Sequence, residues 1–139
     1  MNKQEDWKSL LSNFSMNPPA DENAIKAAET ELTICFPAEY RDFLKLTNGG
    51  EGLIGSGGYA AFWRVEELQT FNREYEVDKY APGLFFFGSD GGGEAFAFDL
   101  RTPQLAIVQV PFIGMSVTDA NAVASNFPEF LTALAQQRT

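Results

Sequence analysis

The sequence predicts an α+β fold, read as one domain over residues 1–139. It is an antiparallel sheet of about four to six strands, packed with helices from the N-terminal and C-terminal parts of the chain. Three observations carry that reading. Apolar residues recur with helical spacing mainly at the two ends of the sequence. In the middle, short apolar or alternating runs follow one another, mostly across short loops, and such neighbours pair antiparallel. Finally, 139 residues, 45% hydrophobic and 14% aromatic, suffice for one core that buries roughly 70% of the unfolded surface.

The first helix places Trp7, Leu10, Leu11 and Phe14 at i, i+3, i+4 and i+7, with Asn2 and Glu5 spaced as a capping box. Pro18-Pro19 ends it. Asp21 is the expected N-cap of a second helix carrying Ile25, Ala28 and Leu32, because its carboxylate accepts from unpaired N–H groups of the first turn. Pro37 fits the first turn of a third helix, where a missing N–H is harmless, and Tyr40, Phe43 and Leu44 share its inner face. Asn48-Gly49-Gly50 stops that helix, since both residue types tolerate the left-handed conformation of a helix C-terminus. Residues 59–65 form the first strand, followed by a short helix over 66–75 that aligns Leu68, Phe71 and Tyr75. The second strand is 84–87 and the third 94–100. In the third, Phe96, Phe98 and Leu100 face one way and Ala95, Ala97 and Asp99 the other. Arg101-Thr102-Pro103-Gln104 turns into a fourth strand, 105–110. A last helix lines up Phe127, Phe130, Leu131 and Leu134, with Asn126 and Glu129 in a second capping-box spacing.

Composition excludes several classes of function. Phenylalanine, at 13 copies, is spread over every predicted element and reads as core. No apolar run approaches the length of a membrane span, and the first residues lack a signal peptide's hydrophobic region, so a soluble cytoplasmic protein is expected. The single cysteine, Cys35, excludes an internal disulfide and, between Ile34 and Phe36, is expected to fill a small buried place. Histidine is absent, which removes the usual Ser-His and Cys-His nucleophiles and His-containing zinc sites. Neither a metal nor a cofactor is expected. A net charge of −9, from 19 acidic and 10 basic residues, disfavours nucleic acid and anionic membranes. It favours a basic partner, unless the charge serves only solubility.

Two glycine-rich stretches invite chemistry and are better read structurally. Gly50-Glu51-Gly52-Leu53-Ile54-Gly55 matches the dinucleotide pattern G-x-G-x-x-G, but it follows a helix and leads to a strand, the reverse of the order a pyrophosphate needs. It reads as a mobile surface loop available to a partner. The second stretch, Gly88-Ser89-Asp90-Gly91-Gly92-Gly93-Glu94, lies between two strands. It has no helix N-terminus and no lysine for a phosphate, and Asp90 and Glu94 would repel one. Its carboxylates, with Asp99, lack the alternating ligands of a calcium loop, and spacing alone does not establish a glycosidase pair. The alternative is a tight turn, with glycines at positive φ and Asp90 bonding nearby N–H groups. Trp63 and Arg64, on a strand beside the first stretch, are interface-prone residue types; Trp63 is equally readable as core.

The set of landmarks from Ile25 to Leu134 resembles the SUKH superfamily, named for a fungal cell-wall-synthesis regulator. The residues that carry the likeness are Glu29, Phe36-Pro37-x-x-Tyr40, Phe43-Leu44, Asn48-Gly49-Gly50, the loop from Gly88 to Glu94, Phe98-Asp99 and Phe127-x-x-Phe130-Leu131. Phe36 stands where the family more often has leucine, another large apolar residue. The resemblance implies helices around an antiparallel sheet and a non-enzymatic role. For small bacterial members that role is immunity: binding and neutralising a cognate toxin domain, often a nuclease, of a polymorphic or contact-dependent toxin system. Fungal members act instead as regulatory interaction proteins, so a regulatory or scaffold module with no toxin partner is the alternative. Candidate partner contacts are Gly52, Gly55, Trp63, Arg64, Asp90 and Glu94. No catalytic residue is assigned, and the oligomeric state stays open.

Overall fold

The computed structural model describes residues 3–137. The elements in order are α1 (Lys3–Leu10), β1 (Phe14–Met16), α2 (Glu22–Leu32), α3 (Ala38–Leu46), β2 (Gly50–Leu53) and β3 (Tyr59–Phe62). A 3-10 turn (Val65–Glu67) leads to α4 (Leu68–Glu74) and α5 (Val77–Tyr80). Then come β4 (Leu84–Ser89), β5 (Glu94–Asp99), β6 (Ile107–Pro111), β7 (Asn121–Ala124) and α6 (Phe127–Ala135). The strands form one sheet in the order β1-β2-β3-β4-β5-β6-β7, each antiparallel to the next.

The α+β class holds, but the sheet has seven strands rather than four to six. The additional strands are β1, β2 and β7. β1 has three residues, β2 reads Gly-Glu-Gly-Leu and β7 reads Asn-Ala-Val-Ala, so none carries the β-branched and aromatic pattern that marks a strand in sequence. Their partners make them strands. Phe14, expected on the first helix, begins β1 opposite Gly52. The stretch read as a mobile loop is the β2–β3 hairpin, with Gly50, Glu51, Gly52 and Leu53 facing Phe62, Ala61, Ala60 and Tyr59. The first predicted strand ends at Phe62 and not at 65, because Trp63 to Val65 leaves the sheet to start the 3-10 turn. Leu100, expected to face with Phe96 and Phe98, lies past the end of β5 and is exposed.

Capping chemistry sets the helix ends. The Asp21 carboxylate accepts from Ala24 N–H at 2.7 Å, as a first-turn cap should. α2 ends at Thr33, at φ 54, and Glu29 then receives Phe36 N–H at 2.7 Å, which fixes the turn into α3. Pro37 stands one place before the first helical residue of α3. α3 stops at Leu46, and the positive φ angles lie further on, at Gly49 and Gly50. At α6, Asn126 accepts Glu129 N–H at 2.9 Å, while the Glu129 carboxylate reaches back to Ser125 N–H at 3.3 Å. The Asn2–Glu5 capping box lies outside the described residues.

The sheet buries both faces, with different partners. Phe62, Phe85, Phe87, Phe96 and Phe98 face α1, α3 and α6, which contribute Trp7, Tyr40, Phe43, Phe127, Phe130 and Leu131. The rings interlock: Phe87 stacks on Phe98 at 4.4 Å, and Tyr40 sits 5.0 Å from Phe98 and 5.4 Å from Phe127. Such pairs add about 0.5–1.5 kcal/mol each beyond area burial. The second face, with Leu84, Phe86, Ala95, Ala97, Val108 and Val110, is covered by Val77 of α5, by Ala81 just after it and by Met115. Every phenylalanine but Phe71 and Phe112 is buried. Cys35, expected inside, is exposed; Phe36 takes the core position at that turn. Among the described residues no helix is long and apolar enough to cross a membrane.

Candidate functional site

The cover on the second face stops short. α4 and α5 lie against β4, leaving the β1–β3 end of that face open. Strand alternation puts Tyr59, Ala61 and Trp63 on this side, because Ala60 and Phe62 point into the main core. Cross-strand pairing sets Glu51 beside Ala61 and Ser15 beside Glu51. The result is a concavity of about 420 Å³. Ser15, Glu51, Ala61, Trp63, Glu67 and Phe71 line it, with the exposed Arg64 at its rim.

Trp63 anchors one wall. Its backbone N–H donates to Phe87 O at 3.0 Å, and its ring lies 4.8 Å from Phe71 and stacks on Tyr75 at 6.1 Å and 11°. Tyr75 in turn lies 4.7 Å from Phe112. This half-exposed aromatic row continues the surface away from the concavity, and Ile113, next in sequence, is 94% exposed. Trp63 packs on both cores and is still half-exposed.

Two carboxylates face the cavity. The Tyr59 hydroxyl donates to Glu51 Oε2, which pushes that hydroxyl above its ordinary value. Arg64 N–H donates to Glu67 Oε1 at 2.9 Å, closing the first turn of the 3-10 segment. The Arg64 side chain is exposed at the rim.

The other residues singled out from sequence are placed elsewhere. Gly52 sits within β2, where an added Cβ would lie 2.7 Å from Asn13 O, so its smallness admits β1. Gly55, at φ 62, donates to Leu10 O at 2.6 Å and accepts from Asn13 Nδ2 at 2.8 Å, tying the hairpin to the end of α1. The Asp90 carboxylate turns inward. Its Oδ1 accepts Gly92 N–H at 2.7 Å and Glu94 N–H at 3.1 Å, with Gly91 at φ 77 and Gly93 at φ 112. The tight-turn reading of this loop is the one the geometry shows. Glu94 precedes Ala95 and by alternation points to the side of Phe96, away from Trp63. Glu94 and Asp99 lie at opposite ends of β5, roughly 17 Å apart at about 3.4 Å per residue, too far for a glycosidase pair. Asp99 is held instead by Arg101, at 2.9 Å to Nε and 3.0 Å to Nη2, which keeps its carboxyl below the usual 3.8. Among the described residues no three metal-ligating side chains cluster.

Sequence reasoning singled out Trp63 and Arg64 but missed Glu51, Tyr59, Glu67 and Phe71 as their neighbours. Tyr59, Ala61 and Trp63 at a spacing of two was a readable signal. Glu51 was not readable, because its position depends on β2 being a strand.

A second depression, of about 550 Å³, runs between α2 and α4, with Leu32, Ile34 and Phe85 in its apolar part and Glu31, Glu76 and Asp78 along its edge. Just past the end of α3, the buried Asn48 joins three segments. Its Oδ1 accepts Val65 N–H at 2.8 Å, its Nδ2 donates to Glu66 Oε1 at 2.7 Å, and its carbonyl accepts Asn17 Nδ2 at 2.9 Å. The Asn48-Gly49-Gly50 landmark is thus a junction between segments, while α3 itself stops earlier, at an extended Thr47.

No curated protein matches the chain. The model of the SMI1/KNR4 family (SUKH-1) matches residues 19–133, from before α2 into α6, and this span takes in the residues that carry the resemblance, from Glu29 to Leu131. The chain belongs to the SMI1/KNR4 family (SUKH-1).

Proposed function

We propose that this chain is a non-enzymatic immunity protein, folded as one domain and acting in the cytoplasm, that binds a cognate toxin domain and blocks its active site. Membership of the SUKH family, which includes such proteins, carries the reading. The charge supports it. A nuclease must attract phosphate and is therefore basic, so an inhibitor of net charge −9 is steered to it and shields its cleft. The open end of the sheet supplies a surface of fitting character, with the half-exposed Trp63 as one wall and Arg64 at its rim. Large aromatic and arginine side chains are the usual anchors of protein interfaces. Gly52 and Gly55 serve the contact indirectly, by holding the β2–β3 hairpin that carries it, while Asp90 and Glu94 close the separate β4–β5 turn.

Co-expression with the adjacent toxin gene tests this. The chain is expected to restore growth and to co-purify with that toxin, and Trp63→Ala is expected to weaken the complex by about 2 kcal/mol or more. Failure of every neighbouring product to bind removes the immunity reading. A stable endogenous partner, in a genome neighbourhood without toxin genes, supports the regulatory alternative instead.

A further inference from the structure

We propose that the concavity beside Trp63 seats a single arginine side chain of the partner protein, an inference that rests on the reading that this face docks a protein. Three features of the cavity suit a guanidinium together. One wall is aromatic, with Trp63 and Phe71 rings 4.8 Å apart, and a planar delocalised cation stacks on such a wall. Glu51 and Glu67 supply two carboxylates on separate elements of the lining. Each has one oxygen engaged inside the protein, Glu51 Oε2 by the Tyr59 hydroxyl and Glu67 Oε1 by Arg64 N–H, so each keeps its other oxygen for an incoming donor. The third feature is charge. The two carboxylates outweigh the Arg64 guanidinium at the rim, and one incoming cation balances the cavity.

Other guests fit less well. An anion meets two carboxylates. An apolar side chain strands them without donors. Lysine neutralises the charge but has neither the planar face for Trp63 nor a fork that reaches two acceptors.

The test is a titration of the full isotope-labelled chain with acetyl-Gly-Arg-Gly-amide and with the same peptide carrying citrulline, the neutral isostere of arginine. The arginine peptide is expected to shift the Trp63 indole N–H and the Ala61 and Arg64 amides saturably. The citrulline peptide, and the variants Glu51→Gln and Glu67→Gln, are each expected to weaken binding about fivefold, the scale of one partly exposed charge contact. Glutamine preserves both internal hydrogen bonds, so the variants keep the fold. Equal binding of the citrulline peptide, shifts centred away from Trp63, or indifference to both substitutions overturns the proposal. The two readings fail separately. A toxin held undiminished by the Glu51→Gln/Glu67→Gln double variant removes the arginine seat and keeps immunity. Arginine binding here with no toxin partner does the reverse.

Discussion

Asn72 offers the sharpest test of how this sheet is completed. β3 leaves the sheet after Phe62, so β4 has lost its neighbour by the time it reaches Phe86. The Asn72 side chain, on α4, takes that neighbour's place. Its Oδ1 accepts Phe86 N–H at 2.9 Å and its Nδ2 donates to Phe86 O at 2.8 Å and to Leu68 O at 2.8 Å. Phe86 is 0% exposed, so neither of its backbone groups has water as a substitute. In Asn72→Ala both are orphaned, at about 1–3 kcal/mol each. Asn72 is itself half-buried, and water entering the space it vacates recovers part of that cost. The net loss is about 2–4 kcal/mol, a large share of the roughly 5–15 kcal/mol typical of a domain. Urea unfolding reads it as a midpoint lowered by about 1–2 M at unchanged slope. Asn72→Asp adds a sign check. The aspartate keeps the acceptor for Phe86 N–H but faces Phe86 O with charge, so its folded pKa is raised. Its deficit relative to the parent should therefore be smallest below about pH 4 and should grow as pH rises through the folded pKa. A loss under about 0.5 kcal/mol for Asn72→Ala, with the Phe86 amide still protected from exchange, would refute the side-chain-for-strand argument.

Further outcomes follow from the same geometry. Among the described residues the Tyr40 hydroxyl is buried with no hydrogen-bond partner, and burial pushes its pKa well up. Tyr40→Phe should be neutral or stabilising by about 1 kcal/mol in thermal or urea unfolding, and a clear destabilisation would show that the hydroxyl has a partner in solution. At Gly49, φ is +76 and an added Cβ would stand 2.5 Å from Phe62 O. Gly49→Ala should cost more than about 2 kcal/mol, and a variant as stable as the parent contradicts that packing. Asp99, its pKa lowered mainly by the Arg101 hydrogen bond, contributes stability that is present above the usual 3.8 and is lost as pH falls through its folded value. Asp99→Asn should thus lose about 1 kcal/mol near neutral pH, a partly screened pair, and the difference should vanish in strong acid. A difference independent of pH would assign the effect to packing.

Most of the fold was legible because its signals are local. The stripes Tyr40-Phe43-Leu44 and Phe127-Phe130-Leu131-Leu134 repeat with the helical period and are buried as that period requires. The alternation of Phe96 and Phe98 with Ala95 and Ala97 sorted the two faces of β5 before any partner was known. Asp21 and Asn126 announced helix starts by a chemistry confined to one turn. Family membership was legible too, because it rests on the order of such landmarks. What only the tertiary structure decided concerns groups whose partners are remote in sequence. Gly50 to Leu53 is a strand because Phe14 and Ala60 flank it, although glycine has little preference for strands. Cys35 lies outside because Phe36 takes the core place at the turn that Glu29 fixes. The glycine-rich loop at Asp90 kept its carboxylate for its own N–H groups, whereas Glu51, Glu67 and Trp63 meet only because β2, β3 and the 3-10 turn fold side by side. Sequence determined which segments could be helix or strand and which chemistries lacked their residues. Long-range pairing decided where the open surface lies, since a side chain's exposure depends on what else packs against its face.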